Sequence, residues 1–434
     1  MKRHFQITLL FILLITLSGL VKAQNNTQPI NLETVLSLGG ANNLTIKEYK
    51  ERQELAIADL SKSKEWWLPN LYAGVSTHQL WGNAMNSDGN FFIDVNRQSF
   101  WGGLGLNATW DFGDGIFKEN AAKLKVQATV YQTQAEQNMA LLDAIQTYYD
   151  FLASQLYYRA YEQLALQADT IANQIAIQVE VGLRFESELL LARRNYMHLK
   201  VEMLNARTEY NNRSATLVKL LNLNPTIRLV GTDTILAPLD LIVISDIPVS
   251  FDSTYGLRPE LMGMELMLQS LNEEKKTTTT GLLLPKLRIG AYGSYFGGVF
   301  TPLDQTSEIN AALIWKIPVG RLAYKGTLKQ YNSRIVLQEI KMEQAKAQIN
   351  EEVIRAREQI RVAKEQTQIA LEGSQFAEEA LIQSIQRQQL GTVRPFEILQ
   401  AQEIYIKSRL DYLKAVASYN KTQYAYHVAT GNNL

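Results

Sequence analysis

The sequence predicts an α+β membrane protein built from one unit used twice, in which long coiled-coil helices alternate with pairs of short strands. Three observations predict it: an internal repeat of roughly 200 residues, helical seams with a 3.5-residue period, and strands whose apolar residues fall on one face.

The repeat shows as residues that return at one constant offset. Gly182, Glu188, Ala192 and Tyr196 return as Gly391, Glu397, Ala401 and Tyr405, and Ala206 and Tyr210 return as Ala415 and Tyr419. Upstream, Leu68-Pro69-Asn70-Leu71 is echoed by Leu284-Pro285-Lys286-Leu287, and Trp110 before Phe112 by Trp315 before Ile317. Solenoid repeats are far shorter, roughly 20 to 50 residues. The expected division is therefore a first repeat over 24–222, a connector over 223–253 and a second repeat over 254–434.

Each repeat holds two helical seams. Ala121, Leu124, Ala128, Tyr131, Ala135, Asn138, Leu142, Ile145, Tyr149, Leu152 and Leu156 step by alternating fours and threes, and Leu189, Ala192, Tyr196, Leu199, Met203, Ala206 and Tyr210 do the same after Gly182. The later copy gives Leu328, Tyr331, Ile335, Gln338, Met342, Ala345 and Ile349, then Ile398, Ala401, Tyr405, Ser408, Tyr412, Ala415 and Tyr419, with a polar stretch over 351–368 that blurs the seam. Helices are expected at about 115–181, 186–222, 321–389 and 395–430, meeting in turns near Gly182 and Gly391. The first would be roughly 100 Å long at 1.5 Å per residue. An ordinary coiled-coil stalk would show the same seams.

The strands separate these readings. In one strand Leu104, Leu106, Ala108, Trp110 and Phe112 alternate with Gly103, Gly105, Asn107, Thr109 and Asp111; in its counterpart Ile309, Ala311, Leu313, Trp315 and Ile317 alternate with Asn310, Ala312, Ile314 and Lys316. With weaker partners, four strands are expected at about 70–81, 101–112, 286–298 and 308–319, and loops over 82–100 and 299–307. Apolar on one face and small or polar on the other, they suit a transmembrane β-barrel. Trp66, Trp67, Trp81, Trp101, Trp110 and Trp315 fall at strand ends, where membrane-interface aromatics belong; core packing is the ordinary alternative for any one of them. Four strands cannot close, since the smallest membrane barrels have about eight, and an open edge in lipid leaves backbone groups unsatisfied. Two chains would give eight strands and a plugged interior; three would give twelve and a lumen that the helices continue.

The start of the chain, Met1-Lys2-Arg3, a short apolar run and Val21-Lys22-Ala23, reads as a signal peptide over 1–23. Without Lys2, Arg3 and Lys22, 40 basic residues face 43 acidic ones, which gives no electrostatic footprint for nucleic acid. With no cysteine in the chain, disulfides, thiolate metal sites and cysteine nucleophiles are excluded. His78, His198 and His427 lack ligand spacing, so neither metal nor cofactor is expected, and no nucleophile or acid–base pair suggests an enzyme. Gly113-Asp114-Gly115 reads as a strand-to-helix turn with Asp114 near the helix N-terminus.

From about Asn31 onward the chain closely resembles the TolC-like outer-membrane efflux proteins, most specifically at Leu68-Pro69-Asn70-Leu71, Trp110 to Gly113, Gly182 to Leu190, Gly391 to Gln402 and Ala429-Thr430-Gly431. The resemblance implies a duplicated helix-strand-strand-helix unit and a homotrimer whose 12-stranded outer-membrane barrel is continuous with a periplasmic helical barrel. It also implies an equatorial zone from the connector and C-terminus, and a role as the channel of a tripartite efflux or type I secretion system served by a periplasmic adaptor and an inner-membrane pump of RND or ABC type. The two helix turns then become the periplasmic tip. Ser187, Glu188, Glu397 and Gln400 are the gate candidates, and Gly182, Leu183, Arg184, Gly391, Thr392, Val393 and Arg394 the adaptor-contact candidates. Gln388, Val393 and Gln400 depart from residues some members carry, so Arg184 or Arg394 is expected to pair with Glu186 or Glu188. Helix capping alone is the simpler account of the acids, and a periplasmic coiled-coil adaptor or scaffold is the rival reading of the chain.

Overall fold

The structure, a computed structural model, describes residues 27–86, 88–241, 251–298, 302–390 and 395–434. The expected signal peptide lies outside the described residues, as do Gly391, Thr392, Val393 and Arg394.

In chain order the elements are β1 (Thr27–Ile30), α1 (Leu32–Asn42), α2 (Leu44–Ser63), β2 (Asn70–Met85), β3 (Phe91–Asp111), α3 (Phe112–Glu180), α4 (Glu186–Leu220), β4 (Arg228–Gly231), α5 (Phe251–Leu257), α6 (Pro259–Lys276), β5 (Lys286–Gly297), β6 (Asp304–Ile314), α7 (Val319–Tyr324), α8 (Gly326–Gln389) and α9 (Pro395–Ala429). Their contacts gather the chain into two compact units, each drawing on both repeats. A sheet unit comprises Tyr49–Gln134 and Pro259–Ala347; a helical unit comprises Ala135–Arg258, Gln348–Leu434 and the described part of Met1–Glu48.

In the sheet unit four antiparallel strands run in the order β2-β3-β5-β6. Two of them are longer than expected. Residues 82–85 and 91–100, expected as loop, continue the first hairpin, with Met85 opposite Phe91. Their Gly, Asn and Asp residues serve a bulge between Gly82 and Ala84, with Asp94 at φ 57°, and a tip turn where Asn90 N donates to Asn86 Oδ1 at 2.8 Å. β6 starts earlier than expected and stops at Ile314, because β5 begins at its partner Lys286 and offers nothing to pair with Trp315 or Ile317; Pro318 has no N–H to donate in any case. A short α7 and a left-handed Lys325 (φ 52°) then precede α8.

The strand-to-helix turn is tighter than expected. α3 starts at Phe112, and its cap is Asp111, whose Oδ1 accepts from Asp114 N at 3.2 Å; Asp114 instead pairs with Lys118. The flanking glycines are there for room. A Cβ on Gly113 would lie 2.1 Å from the Gly281 carbonyl oxygen, and one on Gly115 would lie 2.2 Å from the Trp66 ring. α6 lies against α3, where Ser270 Oγ donates to the Ala121 carbonyl at 3.0 Å and Lys125 pairs with Glu274.

In the helical unit the apolar seams are buried where the 3.5-residue period puts them: Asn138, Leu142, Ile145, Tyr149, Leu152 and Leu156 on α3, and Leu189, Ala192, Leu199 and Tyr210 on α4. The expected blur over 351–368 is absent. Ile349, Val353, Ala356, Ile360, Ala363 and Thr367 keep the period and are buried, so apart from Thr367 the polar residues of this stretch occupy the outer positions. Tyr148, Phe151 and Leu152 of α3 pack with Val35, Tyr210, Leu217, Leu229 and Val416 in the main core.

Sequence alone did not show how the connector is held. β1 and β4 pair in parallel, and the buried Gln155 grips β4 at both ends of one peptide group's reach, accepting from Gly231 N at 2.8 Å and donating to Gly231 O at 3.1 Å. Asn420 and Gln423 clamp the following segment in the same way through Ala237, Leu239 and Leu241. Arg258 is buried, donates to the last α9 carbonyls at Val428 and Ala429, and pairs with Glu352 at 2.7 Å. A cation at a helix C-terminus satisfies carbonyls that have no intrahelical partner.

Candidate functional site

Directly paired residues of an antiparallel sheet project to the same side, so the register sorts the sheet's two faces. On one face stand Leu71, Leu106, Ala291 and Ile309 in one row, and Ala73, Leu104, Gly293 and Ser307 in the next. On the other stand Tyr72, Gly105, Tyr292 and Glu308, then Gly74, Gly103, Ser294 and Thr306. The apolar face is bare: Leu71 is 74 % exposed and Ile309 82 %. Apolar surface of this extent, left open by a single chain, marks contact with lipid or with a partner.

β2 and β6 are the outer strands, and neither outer edge pairs with another strand among the described residues. Unpaired N–H and C=O groups along both edges leave the sheet ready to add a further strand on either side.

The tryptophans divide. Trp67, Trp81 and Trp315 are exposed. Trp110 shares the apolar face and its Nε1 donates to the Trp67 carbonyl. Trp66 is half-buried in the strand-to-helix junction, edge-on to Phe112 at 5.9 Å, so it serves packing. Trp101 departs from the interface expectation. Paired with Ser76 and Phe296, it stands on the polar face, since an odd-numbered position on β3 cannot share a side with Leu104 and Leu106.

At the other candidate site, α3 ends in a left-handed Gly182 (φ 76°), with Leu183 N donating to the Gln178 carbonyl at 2.8 Å and Gly182 N to Val179 at 2.9 Å. This is the Schellman geometry that glycine adopts without a Cβ penalty. Arg184 turns inward: its Nε donates to Gln178 Oε1 at 2.7 Å, and its Nη1 lies 3.6 Å from Glu188 Oε2. With its side chain only 10 % exposed, Arg184 clamps the turn rather than presenting a charge. Leu183, Phe185, Glu186 and Ser187 are exposed.

Glu397 and Gln400, in the first turns of α9, are exposed, and among the described residues neither makes a side-chain hydrogen bond or ion pair with Ser187 or Glu188. Behind the turns, Ile171 and Ile175 of α3, Leu189 and Ala192 of α4, Leu381 of α8 and Ile398 of α9 form one buried cluster. Asn195 Nδ2 donates to the buried Gln402 at 3.0 Å. Buried Gln388 has no hydrogen-bond partner for either amide atom among the described residues, a feature sequence did not flag. His427 Nε2 lies 3.1 Å from the Asn433 carbonyl.

Residues 35–223 match the family model described as outer membrane efflux protein. That family is made up of outer-membrane channels, not enzymes. By sequence, no curated protein matches the chain. In fold it is similar to the Campylobacter jejuni CmeC outer membrane channel, with a TM-score of 0.75 and 19 % identity over 92 % of this chain and 85 % of that one. It is similar also to the Vibrio cholerae outer membrane protein VceC, at 0.73 and 13 % over 93 % and 96 %. The Neisseria gonorrhoeae MtrE outer membrane channel in its open state matches at 0.71 and 16 % over 92 % and 89 %. Channels of this fold are trimers that combine a helical barrel with a β-domain.

Proposed function

We propose, for a chain that resembles the outer membrane efflux proteins in sequence over 35–223 and in fold over more than nine-tenths of its length, that it is the outer-membrane channel of a tripartite efflux or type I secretion system. It forms a homotrimer and a passive, gated duct to the exterior. A periplasmic adaptor and an inner-membrane pump of RND or ABC type supply its substrate and energy.

The sheet carries this reading: its apolar face is bare and, among the described residues, the outer edges of β2 and β6 pair with no further strand. A lipid environment rewards that face and tolerates no open edge, so the strands of several chains must close on one another. An adaptor or scaffold that stays in water has no use for either feature.

At the tip, Ser187, Glu188, Glu397 and Gln400 form the gate region, and exposed Leu183 and Phe185, with Gly182 and the second turn at Gly391, Thr392, Val393 and Arg394, form the adaptor surface. Glu188 is already neutralised by Arg184, which leaves exposed Glu397 as the acid able to set pore selectivity; three copies make a ring that favours cations. In planar bilayers the wild type is expected to conduct with cation preference, and Glu397→Ala to reduce that preference. A mature chain that stays monomeric without detergent and never conducts overturns the channel reading. A conducting wild type with unchanged selectivity in the variant removes Glu397 from the gate.

A further inference from the structure

The polar face of the sheet holds a trough with aromatic walls. One row across the strands is Tyr72, Gly105, Tyr292 and Glu308; the next is Gly74, Gly103, Ser294 and Thr306; the third is Ser76, Trp101, Phe296 and Asp304. The first and third rows lie four residues apart along each strand, about 13 Å at roughly 3.3 Å per residue. Between them the floor is low, because Gly74 and Gly103 carry no side chain and Ser294 is buried.

The walls are fixed by local packing. Tyr72 and Tyr292 lean together over Gly105 with ring centroids 5.5 Å apart, and a Cβ on Gly105 would lie 2.6 Å from each of them. Only glycine lets the two rings close over that position. The cleft bounded by Tyr72, Trp101, Tyr292, Ser294, Phe296, Thr306 and Glu308 has a volume of about 460 Å³. That is enough for a ligand of two or three fused rings.

Its charge has one sign. Glu308 lines the cleft and accepts from Asn310 Nδ2 at 3.3 Å, and Asp304 stands next to Phe296 in the third row. The basic side chains of this face lie beyond it. Arg288 is four residues from Tyr292 along β5, Lys286 is further and paired with Asp111, and Arg97 is four residues from Trp101 and stacks on Phe92. His78 lies on β2 beyond Ser76.

We infer that this trough is a binding site for a planar aromatic cation. Flat rings lie on the glycine floor, the aromatic walls supply ring and cation–π contacts, and Glu308 and Asp304 neutralise the charge. The site requires only the sheet; that it receives cargo within the lumen rests on the channel reading.

Proflavine, a planar tricyclic cation, tests it by fluorescence polarisation with the full chain in lipid nanodiscs, with fluorescein as a planar anion of similar size. Saturable proflavine binding, weakened about tenfold in Asp304→Asn/Glu308→Gln and lost in Thr306→Lys, with no saturable fluorescein binding, is the expected result. Both substitutions sit on an exposed edge strand, and Thr306→Lys introduces a cation without removing a wall. Equal proflavine affinity in the wild type and both variants, or equal binding of fluorescein, overturns the site. Conductance of the wild type reads the channel separately: conduction without carboxylate-dependent binding sinks the site alone, and carboxylate-dependent binding without conduction sinks the channel reading alone.

Discussion

The two units turn their apolar side chains in opposite directions. The helical unit turns them inward: Tyr148, Phe151, Leu152, Leu217, Leu229 and Val416 are almost fully buried, and Gln155 among them is held by both backbone groups of Gly231. The sheet unit turns them outward, leaving Leu71, Leu104, Leu106 and Ile309 exposed while glycines, serine and tyrosines occupy the opposite face. The contrast teaches that exposure in the sheet is not poor packing. On the channel reading, one unit is built for water on its outside and the other for lipid, and a substitution should read differently in each.

The largest effect is expected at the helical core. Phe151→Ala removes a fully buried ring stacked on Tyr210 at 5.6 Å and should cost about 3–5 kcal/mol in denaturant unfolding. A loss below 1 kcal/mol would mean the unit is not held by this core. Next comes Leu106→Arg on the bare face, expected to leave the helical unit's unfolding unchanged and to weaken insertion into bilayers by about 2–4 kcal/mol. Normal insertion of that variant would erase the contrast between the units.

A smaller and more general effect separates them by pH. Burial pushes the Tyr148 and Tyr149 phenols upward, with the Asp233 hydrogen bond adding to the first, and pushes Tyr157 up to about 12. Folded values above the usual value of about 10 mean that the protonated phenols favour the folded state fully below that pH and lose this contribution as pH rises through the folded values. Exposed tyrosines such as Tyr295 and Tyr324 should ionise first, near the usual value of about 10 and with helicity intact, and the rest of the tyrosinate absorbance should develop only as the helical circular dichroism is lost at higher pH. Complete tyrosinate absorbance while helicity is intact would contradict the burial.

Much of this arrangement was legible because it is periodic. The steps from Ala121 to Leu156, and the alternation of Leu104, Leu106 and Ala108, require only a local pattern and the knowledge that helices and strands have different periods. Trp101 was also legible by parity, but its position at a strand end drew it into the interface group. The long hairpin was misread because Gly82, Asn86 and Gly89 are turn residues both in loops and in bulges.

Long-range fits left no local trace. Gly113 and Gly115 read only as residues of a strand-to-helix turn because the reasons for glycine there, Gly281 and Trp66, are distant in sequence. Gln155, Asn420 and Gln423 are ordinary helix residues until the connector they clamp is in place. At the tip, the Gly182 turn followed from glycine's tolerance of positive φ. The Arg184–Glu188 pair is one of those expected, but that Arg184 would also fold back on Gln178, leaving Leu183 and Phe185 exposed, did not follow from spacing alone.

The central claim is that three chains pool their sheets edge to edge, and the absence of cysteine allows a clean test. Ala73→Cys on β2 would be combined, one at a time, with Ser307→Cys, Ile309→Cys or Ala311→Cys on β6. Within one chain these edges are three strand spacings apart, about 14 Å, too far for a disulfide, so any crosslink joins two chains. In native outer membranes, the account predicts that one pairing gives an oxidised ladder of one, two and three chains and stops there. A ladder that stops at two, or no crosslink in any of the three pairs, would contradict it.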